Sequence, residues 1–361
     1  DAKRAILLVN CSDFKRINLL FGYEKGDAAI RDIADRLHTL IGTDVIVHKF
    51  TADRFVVYLE GYKGTADLIN LAKAIQTAFR TPFIDEGYSI LIEVMTGIVE
   101  KDQGTKSPDQ LLRNATLALN NVRVGSKYSY AIYNEDMEKK IERDYSIEKE
   151  LQNALTDNGR GIVYMEYQPM LDLATGKIAG FEALARMKSD TLGQISPMEF
   201  IKIAERKQLI VAVGKLLLRE VCTFAKELQA EGYTDRKIAI NASVIEILQE
   251  DYIDEVLRIL QEYGIENSML EIEITESEYT ENYELLNHKL KQLKSLGFGI
   301  ALDDFGTGYS SFSRLMRLNI SSIKIDISFI STISDPGEKI LITGNIIKLG
   351  HKLKLKVVAE G

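Results

Sequence analysis

Along the second half of the chain, short apolar runs alternate with longer stretches whose apolar residues recur at helical spacing. The runs Ile162–Tyr167, Ile178–Leu184, Ile238–Ala242, Leu270–Thr275, Ile300–Asp303, Ser322–Ile325 and Val357–Glu360 predict strands. The amphipathic stretches Val211–Ala230, Asp251–Tyr263, Tyr283–Leu296 and Lys339–Lys348 predict helices between them. Regular strand–helix repetition of this length favours a parallel α/β architecture, closed into a (β/α)8 barrel rather than left as an open sheet. Seven strands are visible where eight are expected, so the barrel reads as truncated at its C-terminal end.

The first half reads β-α-α-β-β-α-β. Strands are expected at Ala5–Val9, Val45–Phe50, Phe55–Leu59 and Ile90–Val99, and helices at Asp27–Leu40, Leu68–Ala78 and Pro108–Val122. That order predicts a small α+β sandwich with helices on a mostly antiparallel sheet. Between the halves, residues 134–158 are dense in charge, with Ile141, Tyr145, Ile147, Leu151 and Leu155 at roughly helical spacing. Asp157-Asn158-Gly159 then supplies turn chemistry. The predicted organisation is a first domain over 1–136, a connecting helix over 137–158 and a second domain over 159–361.

Composition narrows the function. At 361 residues, 45% apolar and 27% charged, the chain is a globular protein with material for two cores. A net charge of −8 argues against a nucleic acid polymer as the main ligand. Cys11 and Cys222 fit no metal or redox spacing and read as reduced packing thiols in a cytoplasmic protein. The chain begins at Asp1 without a methionine and reads as part of something longer, so a membrane could be reached only through an upstream segment.

The candidate chemistry concentrates at strand ends. Asp303-Asp304-Phe305-Gly306-Thr307-Gly308-Tyr309-Ser310-Ser311 breaks a buried strand with two adjacent acids and then two glycines. Paired carboxylates at a strand mouth repel one another unless a cation lies between them, which points to divalent metal binding by oxygen ligands. Glu182, Asn241, Glu273, Asp303, Asp304, Lys324 and Glu360 all fall near predicted C-terminal strand ends, which converge on one face of a barrel. Strand alternation further predicts that an acid of the pair Glu271 and Glu273 faces the barrel interior.

These residues occur within Phe181-Glu182-Ala183-Leu184-Ala185-Arg186, Tyr167-Gln168-Pro169, Asn241-Ala242-Ser243, Glu273-Ile274-Thr275-Glu276-Ser277, Lys324-Ile325-Asp326 and Ala359-Glu360-Gly361. Together with the Asp303–Ser311 stretch, and from about Ser146 onward, they resemble the EAL family of cyclic di-GMP phosphodiesterases. The resemblance implies a modified (β/α)8 TIM-type barrel hydrolysing cyclic di-GMP to linear pGpG with two Mg2+ or Mn2+ ions. Glu182, Asn241, Glu273 and Asp303 would hold one ion; Asp303, as a bridge, with Asp304 and Glu360 would serve the other. Lys324 would orient the attacking water or stabilise developing negative charge, with Asp304 and Glu276 also in the catalytic set. Gln168 and Arg186 would bind substrate. Glu276 and the Phe305–Ser311 loop resemble a movable loop that couples dimerisation to metal-site assembly, so a homodimer is expected. Calcium should inhibit, because it accepts more ligands than an octahedral site supplies. The alternative is a non-hydrolysing cyclic di-GMP receptor, which the complete ligand set disfavours.

Residues 1 to about 136 resemble the GGDEF family of diguanylate cyclases, through Asp13–Asn18, Phe21–Asp27, Thr96-Gly97-Ile98 and Leu117–Tyr133. The signature itself is eroded. Thr51-Ala52-Asp53-Arg54-Phe55 replaces it, Arg54 and Asn10 stand where metal-binding acids are usual, and Leu19 stands where an acid would bond guanine. The first domain is therefore expected to lack cyclase activity and to act as a scaffold or regulator, with GTP as its candidate ligand.

Overall fold

The computed structural model describes residues 2–11, 14–42, 45–51, 53–85, 88–101, 107–122, 128–156, 161–275, 283–306, 315–331 and 338–361. The chain divides into two compact units, Asp1–Arg143 and Asp144–Gly361.

In the first unit a five-stranded sheet runs in the order β2 (Ile46–Lys49), β3 (Arg54–Glu60), β1 (Arg4–Cys11), β6 (Val94–Glu100), β7 (Tyr130–Ile132). All its ladders are antiparallel except β6–β7, as the sandwich reading expects. Helices α1 (Phe14–Phe21), α2 (Tyr23–Ile41) and α3 (Thr65–Ala78) contribute Phe14, Ile33, Leu37, Leu68 and Ile75 to a core with Leu7, Val9 and Ile98. On the other face α4 (Pro108–Asn120) packs Leu111, Ala115 and Leu119 against Ile6, Leu8 and Val99. Gly97 permits that approach: a Cβ there would lie 2.2 Å from the Ala115 carbonyl oxygen. The expected strand Ile90–Val99 is two pieces, β6 and a separate hairpin of β4 (Phe83–Asp85) with β5 (Tyr88–Ile90).

Helix α5 (Glu135–Ala154) carries the charged stretch, and its Ile147, Leu151 and Ala154 are buried in the second unit with Val163, Met187 and Phe200. The second unit curls a sheet through β8 (Val163–Leu171), β9 (Ile178–Ser189), β11 (Lys237–Asn241), β12 (Leu270–Thr275), β13 (Gly299–Phe305), β14 (Ser322–Ile325) and β15 (Lys356–Ala359). The ladders from β9 to β15 are parallel, whereas β8 and β9 form an antiparallel hairpin. Regular strand–helix alternation therefore fails at the start of this unit. Only Asp172–Lys177 separates the two strands, too few residues for a helical crossover, and the Asp172 carboxylate closes the turn by accepting from the Ala174 and Thr175 N–H groups. Sequence reading also missed the short β10 (Gly193–Ile195) and helix α6 (Pro197–Arg206). Helices α7 (Ile210–Ala230), α8 (Val244–Ile247), α9 (Tyr252–Tyr263), α10 (Tyr283–Ser295), α11 (Ile327–Ile330) and α12 (Glu338–Lys352) complete the unit. Among the described residues no ladder joins β15 to β8. The arrangement is that of a modified (β/α)8 barrel.

Strand alternation divides this sheet cleanly. Ile238, Ile240, Leu270, Ile272, Ile274, Ile300, Leu302, Ile323 and Ile325 belong to the core shared with Val221, Ile259 and Leu290 of the helices. The alternating positions carry the polar side chains. No described helix is long and apolar enough to cross a membrane.

Candidate metal centre

Three strands supply the centre of the site because their inward residues alternate with the core residues just named. Glu273 on β12 is 1% exposed and Lys324 on β14 is 1% exposed. Between them β13 presents the small Gly299 and Ala301 before Asp303 on the same face, so long side chains from β12 and β14 meet across it. Lys324 Nζ lies 2.9 Å from Glu273 Oε2, 3.0 Å from Glu182 Oε1, 3.2 Å from Asp303 Oδ1 and 2.7 Å from Glu360 Oε1. One ammonium thus faces four carboxylates from β9, β12, β13 and the residue after β15.

Asp304 joins them through a departure from regular strand geometry. Adjacent strand residues point to opposite faces, so Asp303 and Asp304 would diverge in an unbroken ladder. The β13–β14 register shifts between Leu302 and Phe305, and Asp304 takes a φ of 53°. This bulge re-aims the second acid, and an aspartate tolerates the left-handed region better than most residues. The Asp304 backbone N–H donates to Asp303 Oδ1 at 2.9 Å.

The carboxylates fall into two overlapping groups, Glu182–Glu273–Asp303 and Asp303–Asp304–Glu360, each with one oxygen per residue within 4.8 Å of the others. Asp303 is common to both. An all-oxygen set of this kind suits Mg2+ or Mn2+, and two groups sharing one aspartate suit two ions. The electrostatics point the same way, because burial together with the Glu182 and Asp303 charges pushes Glu273 up to about 8, against the pull of Lys324. Burial, then the Asp303 and Glu182 charges, raises Glu360 to about 7 despite its bond from Lys324. Asp304 is raised by burial and by Asp303. Burial alone would lower Lys324, but Glu273, Asp303, Glu360 and Glu182 outweigh it and hold the ammonium charged. Among the described residues, the centre carries more negative charge than Lys324 compensates.

The remaining predicted residues are placed less closely. Gln168 is the cross-strand partner of Glu182, and Asn241 is paired in register with Glu273. Arg186 donates through Nε to Glu166 Oε2 at 2.7 Å and through Nη1 to the Ala185 carbonyl. Glu276 and Thr307–Ser311 lie outside the described residues. A cavity of about 340 Å3 lies against Ile240, Leu270 and Ile272, helix-facing residues of the sheet, and against α7 and α9, with Arg186, Asn241, Ser243 and Glu205 also on its largely apolar wall. None of the five carboxylates lines it.

Sequence reading missed Glu166 and left open which acid of the pair Glu271 and Glu273 faces inward. Glu166, opposite Leu184, is a diagonal cross-strand neighbour of Arg186, a relationship visible only once β8 is known to be antiparallel to β9. Glu271 shares Glu273's strand parity, so both acids face inward rather than one. Glu271 is 4% exposed and accepts from Ser322 Oγ at 2.6 Å, reaching past Gly299, where a Cβ would come within 3.0 Å of its own Cβ.

In the first unit Arg54 Nε donates to Asn10 Oδ1 at 3.1 Å across the β1–β3 ladder. The two substituted positions therefore satisfy each other. Asn18 packs over Gly26, where a Cβ would lie 1.9 Å from its Oδ1. Cys11 and Cys222 are buried free thiols, pushed up to about 12 and about 11, in both cases chiefly by burial.

Residues 148–361 match the EAL domain family and residues 1–127 match the family described as diguanylate cyclase, GGDEF domain. Cyclic di-GMP phosphodiesterase NbdA of Pseudomonas aeruginosa is 29% identical, over 99% of this chain and 45% of its own length. The bifunctional diguanylate cyclase/cyclic di-GMP phosphodiesterase MucR of the same organism is 29% identical, over 100% of this chain and 52% of its own length. The chain thus spans about half the length of these curated relatives. Among solved structures, the PaMucR phosphodiesterase in complex with c-di-GMP is 36% identical with a TM-score of 0.56, covering 60% of this chain and 86% of that one. The chain belongs to the EAL domain family, with a GGDEF domain preceding the EAL domain in the same polypeptide.

Proposed function

We propose that the EAL domain hydrolyses cyclic di-GMP to linear pGpG, using two Mg2+ or Mn2+ ions. The observation that carries this reading is the convergence of Glu182, Glu273, Asp303, Asp304 and Glu360 on one barrel face around Lys324. Glu182, Asn241, Glu273 and Asp303 would hold one ion, and Asp303, Asp304 and Glu360 the other. Bound there, the ions would supply an activated water and stabilise the attacking and leaving oxygens of the phosphodiester. Lys324 holds a positive charge among these acids, suited to orienting the attacking water. Arg186 offers its planar fork to a phosphate. Gln168, opposite Glu182, is placed to help bind substrate, and Glu276 completes the catalytic set.

The GGDEF domain acts as a scaffold or regulator without cyclase activity. Arg54 puts a cation, already bonded to Asn10, where a metal-binding acid is usual. The boundaries 1–136, 137–158 and 159–361, a homodimeric state, GTP as a candidate ligand of the first domain and a cytoplasmic location complete the reading.

The test is to incubate the protein with cyclic di-GMP and Mg2+ or Mn2+, with Glu182→Ala as control. Metal-dependent pGpG that disappears in the variant supports the phosphodiesterase. Tight binding in Ca2+ with no turnover in either metal would make the domain a receptor. Incubation with GTP should yield no cyclic di-GMP.

A further inference from the structure

Asn241 is the last residue of β11, and the chain turns after it into the short helix α8. Its side chain is exposed and makes no hydrogen bond among the described residues, so the backbone that follows decides where the amide points. Bonds on the next two residues fix that backbone. The Ala242 N–H extends the β11–β12 ladder to the Glu273 carbonyl at 3.0 Å. The Ser243 N–H donates to Glu246 Oε2 at 3.1 Å, closing a capping box at the start of α8. The Ser243 hydroxyl accepts from the Ile245 N–H at 3.3 Å and donates to Glu205 Oε1 at 2.5 Å.

Glu205 differs from the other partners because it comes from α6, 38 positions earlier in the chain. A helix cap needs only the lone pair of the serine; the hydroxyl proton is left over, and Glu205 takes it and fixes the rotor. A carboxylate accepting from a hydroxyl at this distance makes one of the stronger hydrogen bonds. Glu246 is 8% exposed and packed on α7 at Gly214, where a Cβ would lie 1.6 Å from its Oε1. Both α6 and α7 thus bear on the turn behind Asn241, through two acids that belong to neither carboxylate group of the centre.

We propose that Glu205 is a positioning residue for Asn241, acting through the Ser243 hydroxyl to hold the strand end where a metal ligand is required. A small ion such as Mg2+ or Mn2+ tolerates little displacement of its ligands, so a loosened turn lowers affinity even with every ligand present. The inference rests on reading Asn241 as a ligand.

The test measures Mn2+ binding by electron paramagnetic resonance, without substrate, with the unfolding midpoint of each protein alongside. Glu205→Ala should weaken Mn2+ binding about tenfold, and Glu205→Gln, whose amide oxygen still accepts from Ser243, should recover most of that loss. Ser243→Ala should weaken binding at least as much, and adding Glu205→Ala to it should cost nothing further, since both remove one bond. A folded Glu205→Ala with wild-type Mn2+ affinity, while Asn241→Ala binds weakly, overturns the proposal and leaves the ligand assignment standing. Wild-type affinity in Asn241→Ala overturns the assignment and the proposal together. Additive losses in the double variant, or no recovery in Glu205→Gln, also overturn the route through Ser243. Should Glu205→Ala not fold, Ser243→Ala decides, and unaltered Mn2+ affinity in that variant overturns the proposal.

Discussion

The backbone N–H of Asp304 donates to the side-chain Oδ1 of Asp303 at 2.9 Å, locking two adjacent acids into one site across a strand bulge. A straight strand would have sent one of them outward. The left-handed φ of 53° at Asp304 is the backbone cost of bringing both to the same face.

Asp303 belongs to both carboxylate groups, so its loss should exceed that of any single-group ligand. Asp303→Asn is expected to lower turnover of cyclic di-GMP by more than ~100-fold and to weaken Mn2+ binding in parallel. Wild-type rates in this variant, measured by chromatography of pGpG, would refute the bridging assignment.

The proton content of the metal-free centre sets a pH dependence of stability. Glu273 and Glu360 titrate at about 8 and about 7 in the folded chain, above their ordinary value. A folded state that binds more protons than the unfolded one is stabilised at low pH and loses that stabilisation as pH rises through the folded values. The unfolding midpoint of the metal-free EAL domain should therefore fall between about pH 5 and about pH 8, by on the order of 5 °C. Mg2+ should raise the midpoint more at the upper end of that range, because it displaces protons. Calorimetry in chelator and in Mg2+ checks both signs; a metal-free midpoint that rises over this range contradicts the charge reading.

Arg186 is held by Glu166, whose side chain is about half exposed, so the pair is screened and its contribution modest. Glu166→Gln is expected to raise KM for cyclic di-GMP by less than about tenfold with kcat little changed. Arg186→Lys should cost more, since an ammonium cannot reproduce the guanidinium fork. Steady-state kinetics that showed Glu166→Gln as the more damaging change would place Glu166 itself in contact with substrate.

In the GGDEF domain, Gly97→Ala would drive a methyl group against the backbone of α4 at Ala115 and Leu119. Neither neighbour is a flexible side-chain end, so the helix must shift, at roughly 1–3 kcal/mol. Urea unfolding of this domain should show that loss; an unchanged midpoint would mean that α4 packs elsewhere.

Much of this protein was legible in its sequence because local patterns carry it. Apolar alternation located β12, β13 and β14, and helical spacing located α7, α9 and α10, since each buries one face against a common core. Asp303 and Asp304 stood out as paired acids at a strand mouth and Glu273 as an acid within an apolar strand, whereas Glu182 and Glu360 were singled out through the motifs that resemble the EAL family. The hairpin sense of β8 was not legible, because strand direction depends on what a short connection allows in space rather than on the strand's own residues. With it went the pairing of Glu166 with Arg186. Nor could periodicity reveal that Asp304 turns inward, because a bulge breaks the very alternation from which orientation is read. The gathering of four carboxylates on Lys324 is decided by tertiary structure alone. It needs residues 142 positions apart in sequence to meet over the small inward face of β13, a distance that no local pattern encodes.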